Sequence, residues 1–78
     1  MMSRHFSERL YQRFRIYSDE STEKRILLAI SQRKARYIRT DSTGVLFLTN
    51  ALGPEMIVVF SKKGDLITCD LPSKLGMR

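Results

Sequence analysis

Between Ser3 and Tyr17 the apolar residues Phe6, Leu10, Phe14 and Tyr17 recur at spacings of three and four. On a helix that spacing makes a single stripe, so the pattern predicts a first helix over roughly 3–17. The segment "SDES" interrupts it and offers Ser18 and Asp19 as N-cap candidates, with Glu20 and Glu23 in the first turn of a second helix. "TEKRILLAISQR" continues that helix, with Ile26, Leu27 and Ile30 as its expected buried residues and Arg33 and Lys34 at its cation-favouring end. From residue 35 the period falls to two. "ARYIRT" alternates as a basic outer strand ending at the turn "DSTG", while "VLFLT" and "MIVVF" are apolar on both faces, as central strands are. "ALGPE" separates those two, "KKGD" is a tight turn, and "LITCDL" makes the last strand before Pro72.

Connectors of hairpin length force neighbouring strands antiparallel, since a parallel pair needs a crossover of about a dozen residues or more. The expected architecture is therefore α+β: two N-terminal helices packed on one face of a four-stranded antiparallel sheet, ααββββ. A chain of 78 residues forms one domain, with its core over about 3–71 and a mobile tail over 72–78. The helices cover one face of the sheet. The other must be polar, concave or covered by a partner, and a second copy of the chain is one such partner.

Composition sharpens the picture in one respect. Lys and Arg outnumber Asp and Glu by 14 to 8, giving +6, and ten of the 14 cations lie at or before Arg39. A basic half fits a polyanionic partner, RNA or DNA the commonest among them. The chain has no apolar run long enough to span a membrane, and "MMSRHFSERL" lacks the long apolar stretch of a secretory signal, so a cytoplasmic protein is expected. One cysteine and one histidine allow neither an internal disulfide nor a conventional zinc site, and the scattered acids offer no magnesium cluster. Glycine-rich phosphate loops, nucleophile elbows and His-Glu-x-x-His are missing too, so no cofactor or metal is expected.

One constellation stands out. His5, Arg9 and Arg13 form a row one turn apart, displaced about 100° from the apolar stripe, so the row borders the buried face. Metal-free RNA cleavage uses the substrate's own 2′-hydroxyl as nucleophile. The protein moves protons, for which histidine is suited, and neutralises phosphoryl charge, for which the arginine fork is suited. The plain alternative is an exposed histidine on a basic helix. A second candidate is "RKARYIR", in which Arg33, Lys34, Arg36 and Arg39 can track phosphates and Tyr37 can stack on an unpaired base. Simple alternation would put Ala35, Tyr37 and Arg39 on one face and Arg36 and Ile38 on the other. Its plain alternative is an edge strand protected from aggregation by charge. Lys62 and Lys63 sit in a turn, and Cys69 alternates with Ile67 and Leu71 as a small core residue.

The pattern His5-Phe6-x-x-Arg9-Leu10-x-x-Arg13, the hairpin "VVFSKKGDLIT" and Thr68 in "LITCDLP" resemble a family of small bacterial and phage domains of unknown function. That family in turn resembles the RelE-type toxins of the barnase–EndoU–colicin–RelE ribonuclease fold. The resemblance implies that His5, Arg9, Arg13 and Thr68 face one another across the helix–sheet boundary. They would then form the site of a metal-independent endoribonuclease, with Thr68 bonded to a phosphate oxygen. The family has Gly where this chain has Phe14, which would let the first helix run longer. A different class of function fits the same framework: a non-catalytic RNA- or protein-binding module, such as a phage inhibitor or regulator of a host enzyme. The protein partner expected is a cognate inhibitor under the toxin reading or a host enzyme under this one. Only one acid/base candidate is present, whereas cleavage normally uses two.

Overall fold

A computed structural model describes residues 2–75. Helix α1 (Arg4–Phe14) and helix α2 (Thr22–Ser31) precede strands β1 (Arg36–Asp41), β2 (Gly44–Thr49), β3 (Met56–Phe60) and β4 (Leu66–Asp70). The strands form one antiparallel sheet in the order β1-β2-β3-β4. The layout is thus ααββββ. Of the expected tail, Pro72–Leu75 forms a 3-10 helix, and residues 76–78 lie outside the described residues. No described helix is long and apolar enough to cross a membrane.

Ser3 starts α1 and fastens it. Its hydroxyl oxygen accepts from the Phe6 N–H at 3.0 Å, the usual N-cap bond, and the same hydroxyl donates to the Ile67 carbonyl at 2.9 Å. The Ser3 N–H donates to the Leu66 carbonyl at 2.9 Å, so the cap residue is bonded to β4 on both its backbone and its side chain. The helix stops at Phe14, three residues short of the expected end. Arg15 adopts the left-handed conformation, φ 57°, while its N–H still donates to Tyr11 at 2.9 Å. Tyr17 consequently leaves the stripe and is 77% exposed.

Asp19 organises the turn into α2. Its carboxylate accepts from the Ser21 N–H at 2.8 Å and the Ser21 hydroxyl at 2.7 Å, and its own N–H donates to Thr22 Oγ1 at 2.8 Å. The N-cap position falls on Ser21, two residues later than Asp19. Thr22, Ile26 and Ala29 make the buried row, while Leu27, expected inside, lies about 100° round the helix from Ile26 and is exposed. Arg33, φ 60°, closes the helix in a left-handed turn. The Lys34 N–H donates to Ala29 at 2.8 Å and the Arg33 N–H to Ile30 at 3.1 Å.

Both helices lie on one side of the sheet. Phe6, Leu10 and Ile26 pack there with Leu52, Met56, Val58, Phe60, Leu66 and Cys69, and α1 rests chiefly on β4. The loop between β2 and β3 contributes Leu52 to this core. It is held by a 3.2 Å bond from Arg25 Nη2 to the Ala51 carbonyl. Each fully buried large side chain is worth about 1.5–3 kcal/mol of transfer free energy. The other side of β2 and β3 carries a smaller aliphatic cluster of Leu46, Ile57 and Val59, flanked by Ile38, Leu48 and Ile67. Every residue of β3 is buried, as expected of a central strand apolar on both faces.

Candidate nucleic-acid interface

The row on α1 does not form one constellation. His5 is exposed and has no hydrogen-bond partner among the described residues. Arg9 is half-buried, and its Nη1 donates to Gln12 Oε1 at 2.7 Å. Arg13 turns to the end of β4, where its Nε donates to Asp70 Oδ1 at 2.9 Å; the same oxygen accepts from the Leu71 N–H at 2.9 Å. Arg13 thus ties the C-terminal turn of α1 to the sheet edge, with its charge already balanced by a carboxylate.

Thr68 lies on the opposite side. It pairs in register with Val59, and directly paired residues of an antiparallel ladder project from the same face. Val59 belongs to the helix-free cluster, so Thr68 points away from α1. The structure therefore brings Arg9 and Arg13 to the β4 edge, leaves His5 in solvent, and separates Thr68 from all three. Asp70 had no signal in the sequence, because its partner stands 57 residues away.

Two bulges rearrange the expected strand faces. In β1 the register slips between Tyr37 and Arg39, so Arg36 pairs with Leu48 and Arg39 with Leu46. Both arginines therefore share the helix-free face, instead of being split by simple alternation. Tyr37 pairs with Phe47 on the helix side, where the rings meet edge to face at 5.8 Å, and Phe47 continues to Phe60 at 6.1 Å. Its hydroxyl is bonded to Thr40 Oγ1 at 2.8 Å, yet the residue stays 55% exposed. Arg39 donates to Asp41 at 2.9 Å, while the Thr43 N–H and hydroxyl also bond Asp41. The Thr43 hydroxyl, then Arg39, hold the Asp41 carboxyl well below the usual carboxylate range. Arg33 and Lys34 are exposed just before the strand.

The second bulge, opposite Val59 and Phe60, leaves Leu66 and Cys69 in the main core and sends Ile67 to the other face. Cys69 does not share a face with Ile67, but it is a core residue. Its thiol is pushed up to about 12 from an ordinary 9.0, chiefly by burial, with Arg13 and Arg9 opposing and Asp70 reinforcing the shift. At pH 8, modification of Cys69 by a disulfide reagent should run more than about 10-fold slower than that of a free thiol, since burial limits both thiolate and access, and recover on unfolding. Prompt labelling of the folded protein would contradict the burial. The sign for stability follows: the raised folded-state value contributes fully below about pH 9 and is lost as the pH climbs toward 12.

The signal that the stripe concealed is aromatic. All three tyrosines are exposed, with Tyr11 38% exposed, while Phe6 and Phe60 are buried. Tyr11 and Tyr17 meet at 4.8 Å between ring centroids, and the Arg15 guanidinium stands 5.3 Å from the Tyr11 ring. Tyr37 lies between Arg36 and Arg39 in sequence on an exposed edge strand. An exposed tyrosine with a guanidinium beside it, as Tyr11 has Arg15, can stack on a base and neutralise a phosphate. Among the described residues, no group of three or more His, Cys, Asp or Glu is placed to share a metal ion. Comparison of the chain with family models, with curated proteins and with solved structures finds no match.

Proposed function

We propose that the chain is a non-catalytic module that binds single-stranded RNA through a basic surface bearing exposed tyrosines. The observation that carries this reading is the exposure of all three tyrosines, with the Arg15 guanidinium over the Tyr11 ring, on a chain of net charge +6. Exposed aromatic rings interleaved with cations supply the two interactions that unpaired nucleic acid needs, base stacking and phosphate neutralisation. The catalytic alternative asks for an acid, a base and a phosphate clamp around one point. His5 lacks a partner among the described residues, Arg13 is spent on Asp70, and Thr68 faces the other way. The RelE-like resemblance then describes a framework that holds RNA without cutting it.

The test is titration of a short labelled single-stranded RNA in EDTA at several salt concentrations, with the RNA afterwards run on a gel. Contact with about four phosphates gives a slope near −3 in log K against log salt, or roughly 50-fold weaker binding between about 50 and 200 mM. Salt-dependent binding with intact RNA is the expected result. Discrete products lost in His5→Ala would restore the endoribonuclease. Absence of RNA binding would leave an acidic protein as the polyanion.

A further inference from the structure

Beside α1, between its outward face and the segment that follows it, lies an open cleft of about 450 Å³ lined by Ser7, Glu8, Tyr11, Gln12, Tyr17 and Ser18. That size falls within the roughly 300–1,000 Å³ of small-ligand sites. The segment is held in place by a 2.8 Å hydrogen bond from the Ser18 hydroxyl to that of Ser7. Glu8, Tyr11 and Gln12 stand three and four residues apart, so they project from one side of the helix.

The polar groups of the cleft have a defined sense. Gln12 Oε1 is occupied by Arg9 Nη1 at 2.7 Å, so the amide is oriented with its NH₂ left to donate. Glu8 has no hydrogen bond or ion pair among the described residues, and an ionised carboxylate only accepts. Glu8 and Gln12 therefore present two acceptor oxygens and one donor group, one helical turn apart. Tyr11 is engaged by Tyr17 and Arg15, whereas Tyr17 keeps most of its ring in solvent and is the surface left for stacking.

We infer that this cleft takes one unpaired guanine base of a bound RNA, stacked on Tyr17, with Glu8 accepting from its N1–H and N2–H and Gln12 donating to its O6. The inference rests on the RNA-binding reading and adds a base preference to it. Guanine is the one common base whose Watson–Crick edge offers two adjacent donors and a neighbouring acceptor. Adenine and cytosine set a ring-nitrogen lone pair against the carboxylate, and uracil brings a single donor between two carbonyls. Arg15, beside the Tyr11 ring, is the nearby cation for the nucleotide's phosphate. Arg9 acquires a role different from phosphorane stabilisation: it positions Gln12.

Calorimetric titration of the full chain with oligouridine carrying one central guanosine or one central adenosine, and separately with GMP and AMP, tests the assignment. The guanosine ligands should bind about 5- to 150-fold more tightly than their adenosine counterparts. Tyr17→Ala should weaken guanosine binding by a similar factor. Glu8→Gln exchanges an acceptor for a donor and should erase or invert the preference, since adenine then becomes the better complement. Both positions are exposed, so the two variants should unfold like the parent. Equal affinity for both oligonucleotides, unchanged in Tyr17→Ala, overturns the cleft and leaves RNA binding standing. GMP preference without oligonucleotide binding supports the cleft as a free-nucleotide site and overturns the RNA reading. Failure of every ligand to bind overturns both.

Discussion

Phe6→Ala should cost about 3–5 kcal/mol of folding stability, the usual range for deleting a fully buried phenylalanine. Phe6 is completely buried in the main core, among residues of α2, β3 and β4. A domain of this size has roughly 4–12 kcal/mol in total, at about 0.05–0.15 kcal/mol per residue. The loss therefore takes a large share of the whole. No element behind α1 can move in to refill the space, because α1 is itself the outer layer and Ser3 anchors its start to Leu66 and Ile67. Urea denaturation reads the change directly. A midpoint shift worth less than about 1 kcal/mol would mean that α1 does not depend on this contact.

Gly44→Ala should be the second most damaging change, although it adds one methyl group at the start of β2. A Cβ there would run into the Phe60 carbonyl oxygen, with Phe60 carbonyl carbon at 3.1 Å and Val59 Cγ1 at 3.4 Å behind it. The obstacle is backbone of a central strand that is paired on both sides, so it cannot swing aside as a flexible side chain would. The φ of 144° adds strain of its own for any L side chain. Overpacking and backbone strain together come to about 2–6 kcal/mol. Gly53 separates the two contributions. Its φ is 117°, but a Cβ there meets nothing within 4 Å, so Gly53→Ala should show the strain alone, about 1–2 kcal/mol. Equal losses for the two variants in the same urea experiment would remove the steric account of Gly44.

The order of elements and the two central strands were legible because periodicity records burial directly: three-and-four spacing around Phe6 and Leu10, continuous apolar runs in "VLFLT" and "MIVVF". What escaped depends on backbone detail that side-chain type does not encode. Arg15 ends α1 in a left-handed turn that glycine would normally advertise, so Tyr17 keeps the spacing of the stripe yet leaves the helix and is exposed. The bulge after Tyr37 moves Arg39 onto the face of Arg36, yet Ile38 and Arg39 are both ordinary strand residues. The partnership of Arg13 with Asp70 joins opposite ends of the chain and has no local signature. Glu8 and Gln12 have no signature in the sequence, because the cleft beside them and the orienting bond from Arg9 depend on the path of the chain after α1.

The seating of α1 against β4 also sets the timetable of folding. The Ser3 hydroxyl and the Ile67 carbonyl that it bonds are 64 positions apart, so during synthesis α1 lacks this anchor until β4 has been made. A nascent chain halted inside β3 would carry α1 with Phe6 and Leu10 uncovered, open to chaperones or to neighbouring polypeptides. Closure between such distant segments makes docking of α1 a late step, and the sheet must assemble before the helix can rest on it.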